Sequence, residues 1–272
     1  DKLRKCVARG SKILMSDGSL KNIEDIEVGD TVCTFDNYAC SSNKVISKYD
    51  NGKKHTVEVK CDSGFKVRCT ADHKILTQRG YVEAKDLTTK DFVFTPKAIK
   101  KYNDGIKSNK KPSNDTLWML GALIGDGTIS LKERLAFTNS DMEIIEKFKA
   151  SVAQIGVKGI PEFSMFVTDG KTVDKVYQCK IKSGNFKDSI WNLLVKFGLN
   201  HKAAEKEIPA QIQHYSATEK LAYFLAGMFN TDGGYNIGRQ TIEYYSISRN
   251  LVYQLQAQLL KFGIYSQVGT KR

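Results

Sequence analysis

The 272 residues carry 42 Lys and Arg against 30 Asp and Glu, a net charge of +12, and 41% of them are apolar. That composition excludes wholesale disorder, and at roughly 100–200 residues per domain the length predicts two domains. The longest apolar run, Leu117–Gly125, falls far short of the ~18 residues a membrane span needs, and no signal peptide follows Asp1–Lys5, so a basic chain with no membrane partner points first to nucleic acid.

In chain order, the first ninety-five residues read as β. Short apolar and β-branched runs lie at Ile13–Met15, Thr31–Phe35, Lys44–Ser47, Thr56–Cys61, Phe65–Cys69, Ile75–Thr77 and Asp91–Thr95. Turn signals separate them at Asp17-Gly18, Gly29-Asp30, Asp50-Asn51-Gly52, Asp62-Ser63-Gly64 and Arg79-Gly80. Short strands spaced by such turns predict an all-β unit, with at most one helical turn in Leu20–Ile26. The cysteines at 6, 33, 40, 61, 69 and 179 form neither C-x-x-C nor finger spacing. Small core thiols in a reducing, intracellular compartment are the expectation, with Cys6 set apart below. Next comes Pro96–Pro112, with six lysines, one aspartate and a polar Asn-Asp-Gly centre, which reads as an interdomain linker. Its lysines either contact phosphates or simply stay solvated.

The second part changes to helical periods. Ser140-Asp-Met-Glu143 is a capping box ahead of Ile144, Ile145, Phe148 and Val152, stopping at Gly156. Ser216-Ala-Thr-Glu219 is another, ahead of Leu221, Phe224, Leu225 and Met228. Ser248 opens a helix carrying Leu251, Val252, Leu255, Leu259 and Leu260, stopping at Gly263. Met119–Gly127 and Leu225–Gly233 are both apolar helices ending in Asp-Gly, each followed by room for a hairpin and then a helix. This is an internal duplication, offset by 106 residues between Asp126 and Asp232.

The duplicated helix carries the candidate chemistry. Gly121 and Gly125 in one copy, Gly227 and Thr231 in the other, are small residues four apart that permit two helices to meet backbone to backbone. Each helix then delivers one carboxylate, Asp126 and Asp232, to the same place. Two carboxylates at two negative helix ends must protonate or hold cations, and with Mg²⁺ in a basic protein they point to phosphodiester hydrolysis. One such Asp-Gly would read more simply as a turn; two in a matched repeat argue against that.

Leu225–Gly233 resembles the namesake motif of the LAGLIDADG homing endonucleases, and Met119–Gly127 a divergent first copy. The resemblance implies an α+β domain of two αββαββα halves related by a pseudo-two-fold, with sheets along the DNA major groove. It also implies Asp126 and Asp232 as Mg²⁺ ligands at two scissile phosphates. Ile124 and Asn230 replace the motif's first acidic residue. Glu205-Lys206-Glu207-Ile208-Pro209 is similar to a lysine block of the intein-borne members, which implies Lys206 as a group steering the attacking water or transition-state charge. The plain alternative is an exposed lysine between two glutamates.

The β region in turn resembles the N-terminal part of an intein, an all-β Hint-like splicing domain. The run Cys6–Asp30 is similar to its first block and the run Gly64–Thr77, with its Thr70-Ala-Asp-His73, to its second. A thiol at Cys6 is suited to attack the preceding Lys5 carbonyl, while Thr70 and His73 supply a proton donor and polar support for the strained peptide. No cofactor is implied for this splicing step. His55, His201 and His214 match nothing and read as structural.

The expected organisation is 1–5 as a remnant of the host protein (extein), 6–95 as the splicing domain, 96–112 as the linker, 113–206 as endonuclease half 1 and 207–272 as half 2. The sequence holds no closing His-Asn block, and half 2 has nine residues after Gly263 where half 1 runs on for about fifty after Gly156. A split or truncated intein with an incomplete second half is therefore expected. Its partners are a C-terminal intein fragment, the flanking host protein and a double-stranded DNA site. Two alternatives stay open: an endonuclease whose β domain no longer splices and only binds DNA, and an assembly module that binds without cutting.

Overall fold

The computed structural model describes residues 5–36, 39–95, 112–130, 134–155, 163–168, 175–181, 185–199, 202–215 and 218–270. Asp1–Arg4, the linker up to Lys111, Gly156, Lys182, His201 and Ser216 lie outside these. The chain separates into two units, Asp1–Asn103 with Tyr253–Arg272, and Asp104–Val252.

Turn chemistry organises the first unit. Gly18, Gly29, Gly52, Gly64 and Gly80, one from each turn signal, all adopt φ between 65° and 96°, a region that costs side-chain-bearing residues energy. The turns at Gly18, Gly64 and Gly80 join antiparallel pairs, β1 (Lys12–Leu14) with β2 (Leu20–Asn22), β5 (Thr56–Lys60) with β6 (Lys66–Thr70), and β7 (Lys74–Thr77) with β8 (Gly80–Glu83), while those at Gly29 and Gly52 lead into β3 (Thr31–Asp36), which pairs with β4 (Ala39–Lys44), and into β5. Two sequence expectations shift. Of the run Lys44–Ser47 only Lys44 belongs to a ladder: Val45 exchanges single backbone bonds with Gly29 and Asp30, and Ile46 is 88% exposed. The partner of β3 is instead the polar segment just before it. Asp91–Thr95 contributes one bridge, Val93 to Thr77, with Phe92 exposed. Leu20–Ile26 does hold a single helical turn, the 3-10 turn Ile23–Asp25, preceded by β2.

Ahead of β1, the segment after Lys5 runs antiparallel to β6. Val7 bridges Cys69, and the Ala8 amide donates to Arg68 O at 2.7 Å. This brings Cys6 opposite Thr70. The end of the chain also packs in this unit. The Val268 amide donates to Ser63 O at 3.2 Å, the Gln267 side-chain amide donates to the Asp62 carbonyl, and the Tyr265 and Phe65 rings lie 6.1 Å apart. A Cβ on Gly64 would strike the Val268 carbonyl, so glycine serves there both for its φ and for this approach.

The second unit opens with α1 (Asn114–Asp126), capped by Ser113, whose Oγ accepts from the Thr116 amide at 3.1 Å. Then come β9 (Gly127–Ser130), β10 (Arg134–Asn139), α2 (Met142–Ala153), β11 (Phe163–Thr168), β12 (Val176–Ile181) and α3 (Asn185–Lys196). That is an α-β-β-α-β-β-α order, with an antiparallel sheet ordered β11-β12-β10-β9. The short α4 (Ala210–Gln213) precedes α5 (Glu219–Asp232), β13 (Gly233–Asn236), β14 (Thr241–Tyr244) and α6 (Arg249–Lys261). The division between the units falls inside α6. The core is apolar along all of α1, with Leu117, Trp118, Met119 and Leu120 fully buried, and Phe137 stacks on Phe148 at 4.3 Å.

Two helix starts differ from the capping boxes. Asp141, not Ser140, caps α2, its carboxylate accepting from the Glu143 amide at 2.8 Å. α5 starts one residue after Thr218, which makes no side-chain cap bond. The repeat's elements are present in both copies, as α1-β9-β10-α2 and α5-β13-β14-α6. In the first hairpin Gly127 faces Phe137, and in the second Gly233 faces Tyr244. The second hairpin is one residue longer than the first, the difference lying between its last paired residues, Asn236 and Thr241, and Tyr244 takes the register position of Phe137.

Candidate functional site

In the second unit, α1 and α5 meet along their small residues. A Cβ on Gly121 would strike the Phe224 carbonyl, one on Gly227 the Trp118 carbonyl, and one on Gly125 the Thr231 side chain, with Asp232 Cγ at 3.2 Å. Thr231 Oγ1 donates back to Met228 O at 2.8 Å, so its hydroxyl is satisfied within its own helix. Asn230, where the motif has an acidic residue, accepts from Trp118 Nε1 at 2.9 Å and so ties α5 to α1. The packing therefore places Asp126 and Asp232 side by side at two helix C-termini.

Each carboxylate has a different holder. Asn139, the last residue of β10, donates to Asp126 Oδ2 at 2.5 Å, while the Tyr244 hydroxyl lies 3.5 Å from Asp232 Oδ2. Burial, then the Asp232 charge, push the Asp126 carboxyl up to about 6, against the pull of Asn139 and Lys206. Burial also raises Asp232, opposed by Lys206 and Tyr244. Both effects describe negative charge held short of compensation.

Lys206 reaches this place from the segment before α4. Its ammonium donates to the Ile124 carbonyl and to Gly125 O at 2.9 Å, capping the end of α1. Burial lowers its pKa, while Asp232 and Asp126 raise it. Ser248 Oγ fixes its backbone, donating to Lys206 O at 2.6 Å. It is thus half-buried rather than a solvated lysine, although Glu205 and Glu207 on either side are exposed. Sequence reading missed Asn139 and Tyr244, and took Ser248 only as the start of a helix. Their only signal is position, at the ends of the hairpin strands and before α6.

In the first unit, the Cys6 amide donates to Thr70 Oγ1 at 3.1 Å, and the Thr70 amide donates to Cys6 O at 2.9 Å. Thr70 is 6% exposed, and its hydroxyl also hydrogen-bonds Asp72, lowering that carboxyl. The His73 amide donates to Thr70 O at 3.0 Å, closing the turn. His73 Nδ1 is buried, with no hydrogen-bond partner among the described residues. Burial depresses its pKa, with Asp72 opposing and Lys5 adding to the shift, so the ring is neutral at pH 7. The Cys6 thiol accepts from Asn51 Nδ2 at 3.0 Å. Nothing in the sequence singled out Asn51 beyond its turn. The structure thus gathers the predicted residues into two groups, Cys6, Thr70 and His73 in one unit and Asp126, Lys206 and Asp232 in the other.

Comparison with known proteins bears on the second group. Residues 219–272 match the family model described as "LAGLIDADG-like domain". This stretch is similar to a LAGLIDADG-like domain. It contains α5, with Asp232, and the hairpin and helix that follow. The ATP-dependent DNA helicase Hel308 of Methanocaldococcus jannaschii is 30% identical over 229 residues, 80% of this chain and 17% of that protein. Protein RecA of Mycobacterium tuberculosis is 26% identical over 277 residues, 97% of this chain and 33% of that protein. The chain thus spans a third or less of these relatives' length. Among solved structures, a DnaB intein from Synechocystis is 23% identical with TM-score 0.32, covering 33% of this chain and 67% of that one. The homing endonuclease I-WcaI bound to its DNA recognition sequence is 19% identical with TM-score 0.37, covering 57% of this chain and 75% of that one.

Proposed function

We propose that this chain is the N-terminal part of a protein-splicing element that carries a DNA endonuclease. The observation that carries the nuclease reading is the α1–α5 contact, in which glycines bring two backbones together so that Asp126 and Asp232 share one place with Lys206 beside them. Support for an inserted element comes from the relatives: the DNA helicase Hel308 and Protein RecA match it, each over a minor share of its own length.

The donor set fits Mg²⁺. Two underneutralised carboxylates, with no third His, Cys, Asp or Glu clustered with them among the described residues, match an ion that uses one or two carboxylates and otherwise keeps water and substrate phosphates. Bound there, the cation would neutralise charge on a scissile phosphate and activate water. The chain's own groups do the rest. Asn139 and Tyr244 orient the carboxylates, and Lys206 holds a positive charge over the end of α1, toward developing negative charge. The DNA partner would be a double-stranded site.

In the β-rich unit the proposed step is an N–S acyl shift. Cys6 Sγ attacks the Lys5 carbonyl carbon, the Lys5–Cys6 C–N bond breaks, and the thiol proton ends on the freed amine. Thr70 Oγ1 already contacts that nitrogen, and His73 is the proton carrier. The remaining splicing steps belong to a C-terminal segment and its host protein, supplied in cis or in trans.

The nuclease reading is tested with a library of randomised DNA duplexes, assayed with Mg²⁺ and with EDTA. Cleavage that needs the metal and falls by about 10²-fold or more in Asp126→Asn and Asp232→Asn supports it. Metal-independent cutting, or cutting unchanged by both substitutions, overturns it.

A further inference from the structure

We infer that Asn51 is a catalytic residue of the acyl shift, its side-chain amide stabilising the Cys6 thiolate. The inference rests on the acyl-shift reading. It is carried by a contact that neither the thiol block nor the Thr-x-x-His block contains: Asn51 Nδ2 donates to Cys6 Sγ at 3.0 Å, with both residues half-buried.

Asn51 is not placed there by accident of a loose side chain. It sits in the tight turn Asp50-Asn51-Gly52, in which Asp50 Oδ1 accepts from the Gly52 amide at 2.9 Å and Gly52 takes φ of 65°. The turn fixes the backbone before and after Asn51, and so fixes where its amide points. Cys6 is fixed independently by the paired backbone bonds to Thr70. Two rigid pieces of chain, 45 residues apart in sequence, thus bring a donor to the nucleophilic sulfur.

The chemistry requires such a donor. The attacking species is the thiolate, and an ordinary cysteine is mostly protonated at neutral pH. The titratable groups next to Cys6 in sequence and in the Thr70–His73 turn offer mixed help. Lys5 carries positive charge, Asp72 carries negative charge, and His73 is held neutral by burial. Thr70 is engaged with the Cys6 backbone and with Asp72. A neutral amide N–H aimed at sulfur favours the anion without adding a charge that would also bind the thioester carbonyl. When Sγ bonds to the Lys5 carbonyl carbon its negative charge disappears, so the contact acts on the nucleophile and not on the product.

The test uses the full chain and reads dithiothreitol-dependent release of Asp1–Lys5 by mass, alongside the pH dependence of Cys6 alkylation by iodoacetamide, followed on the Cys6 peptide. Asn51→Ala is expected to slow release by about tenfold or more and to move the alkylation midpoint to higher pH. Asn51→Asp keeps the side-chain volume but offers only acceptors, and is expected to be slower still, with the larger midpoint shift. Asn51→Gln, which keeps the amide, recovers part of the rate. Release and alkylation at wild-type values in both Asn51→Ala and Asn51→Asp overturn the inference. If the wild type releases nothing while the alkylation midpoints still shift, the acyl-shift reading falls and the Asn51–thiolate contact stands.

Discussion

With its carboxyl held up to about 6, Asp126 favours the protonated form in the folded chain and ionises at a cost at neutral pH. The unfolded reference is ~3.9. Stability from this group is therefore fully present below about 4 and is lost as pH rises through about 6. In EDTA, denaturant titrations across that window should show falling stability, and Asp126→Asn should flatten the fall. Added Mg²⁺ should restore stability at pH 7 in the wild type, because it binds only the folded site. The carboxylates' holders give a second outcome at this scale. Asn139→Ala and Tyr244→Phe leave both carboxylates in place but free their orientation, and DNA cleavage should drop by ~10–100-fold, with more Mg²⁺ needed for half-maximal rate. None of these neighbours was legible in the sequence. Asn139 and Tyr244 lie 13 and 12 residues beyond their aspartates, on strands whose register only the folded hairpins fix. Cys6, Thr70, His73, Asp126 and Asp232 were legible because each stands inside a compact motif. Asn51 was not, because its partner is 45 residues away.

The element that decides the second unit is the α1–α5 pair. Alanine normally improves a helix over glycine by ~1 kcal/mol. At Gly121 and Gly227 that gain is outweighed, since the new Cβ would land on a backbone carbonyl of the facing helix. Gly121→Ala and Gly227→Ala should each destabilise by about 1–3 kcal/mol in denaturant titration, as overpacking does. Equal or greater stability would contradict the packing account. The small residues four apart made this contact legible, as the turns at Gly18, Gly64 and Gly80 made three of the hairpins legible. Amphipathic pattern misled where strands are polar or exposed. β4, Ala-Cys-Ser-Ser-Asn-Lys, has no apolar face to announce it, whereas the apolar Val45-Ile46 beside it stays out of the ladder.

For the whole molecule, the two-part organisation was readable because periodicity changes across the lysine-rich stretch and because the second part repeats. What the sequence could not show is that Tyr253–Arg272 groups with the β-rich residues rather than with the rest of the repeat. That grouping rests on contacts such as Val268 with Ser63, between segments roughly two hundred residues apart, where no local pattern exists to read. Because the two proposed sites use separate residues in separate units, their activities should separate: Cys6→Ala should leave DNA cleavage intact, and Asp126→Asn should leave the acyl shift intact. The most direct test of the central claim is the mass of the purified chain after dithiothreitol. The account predicts loss of Asp1–Lys5 from the wild type and from Asp126→Asn, and no loss from Cys6→Ala. Release that persists in Cys6→Ala, or no release from the wild type, would contradict it.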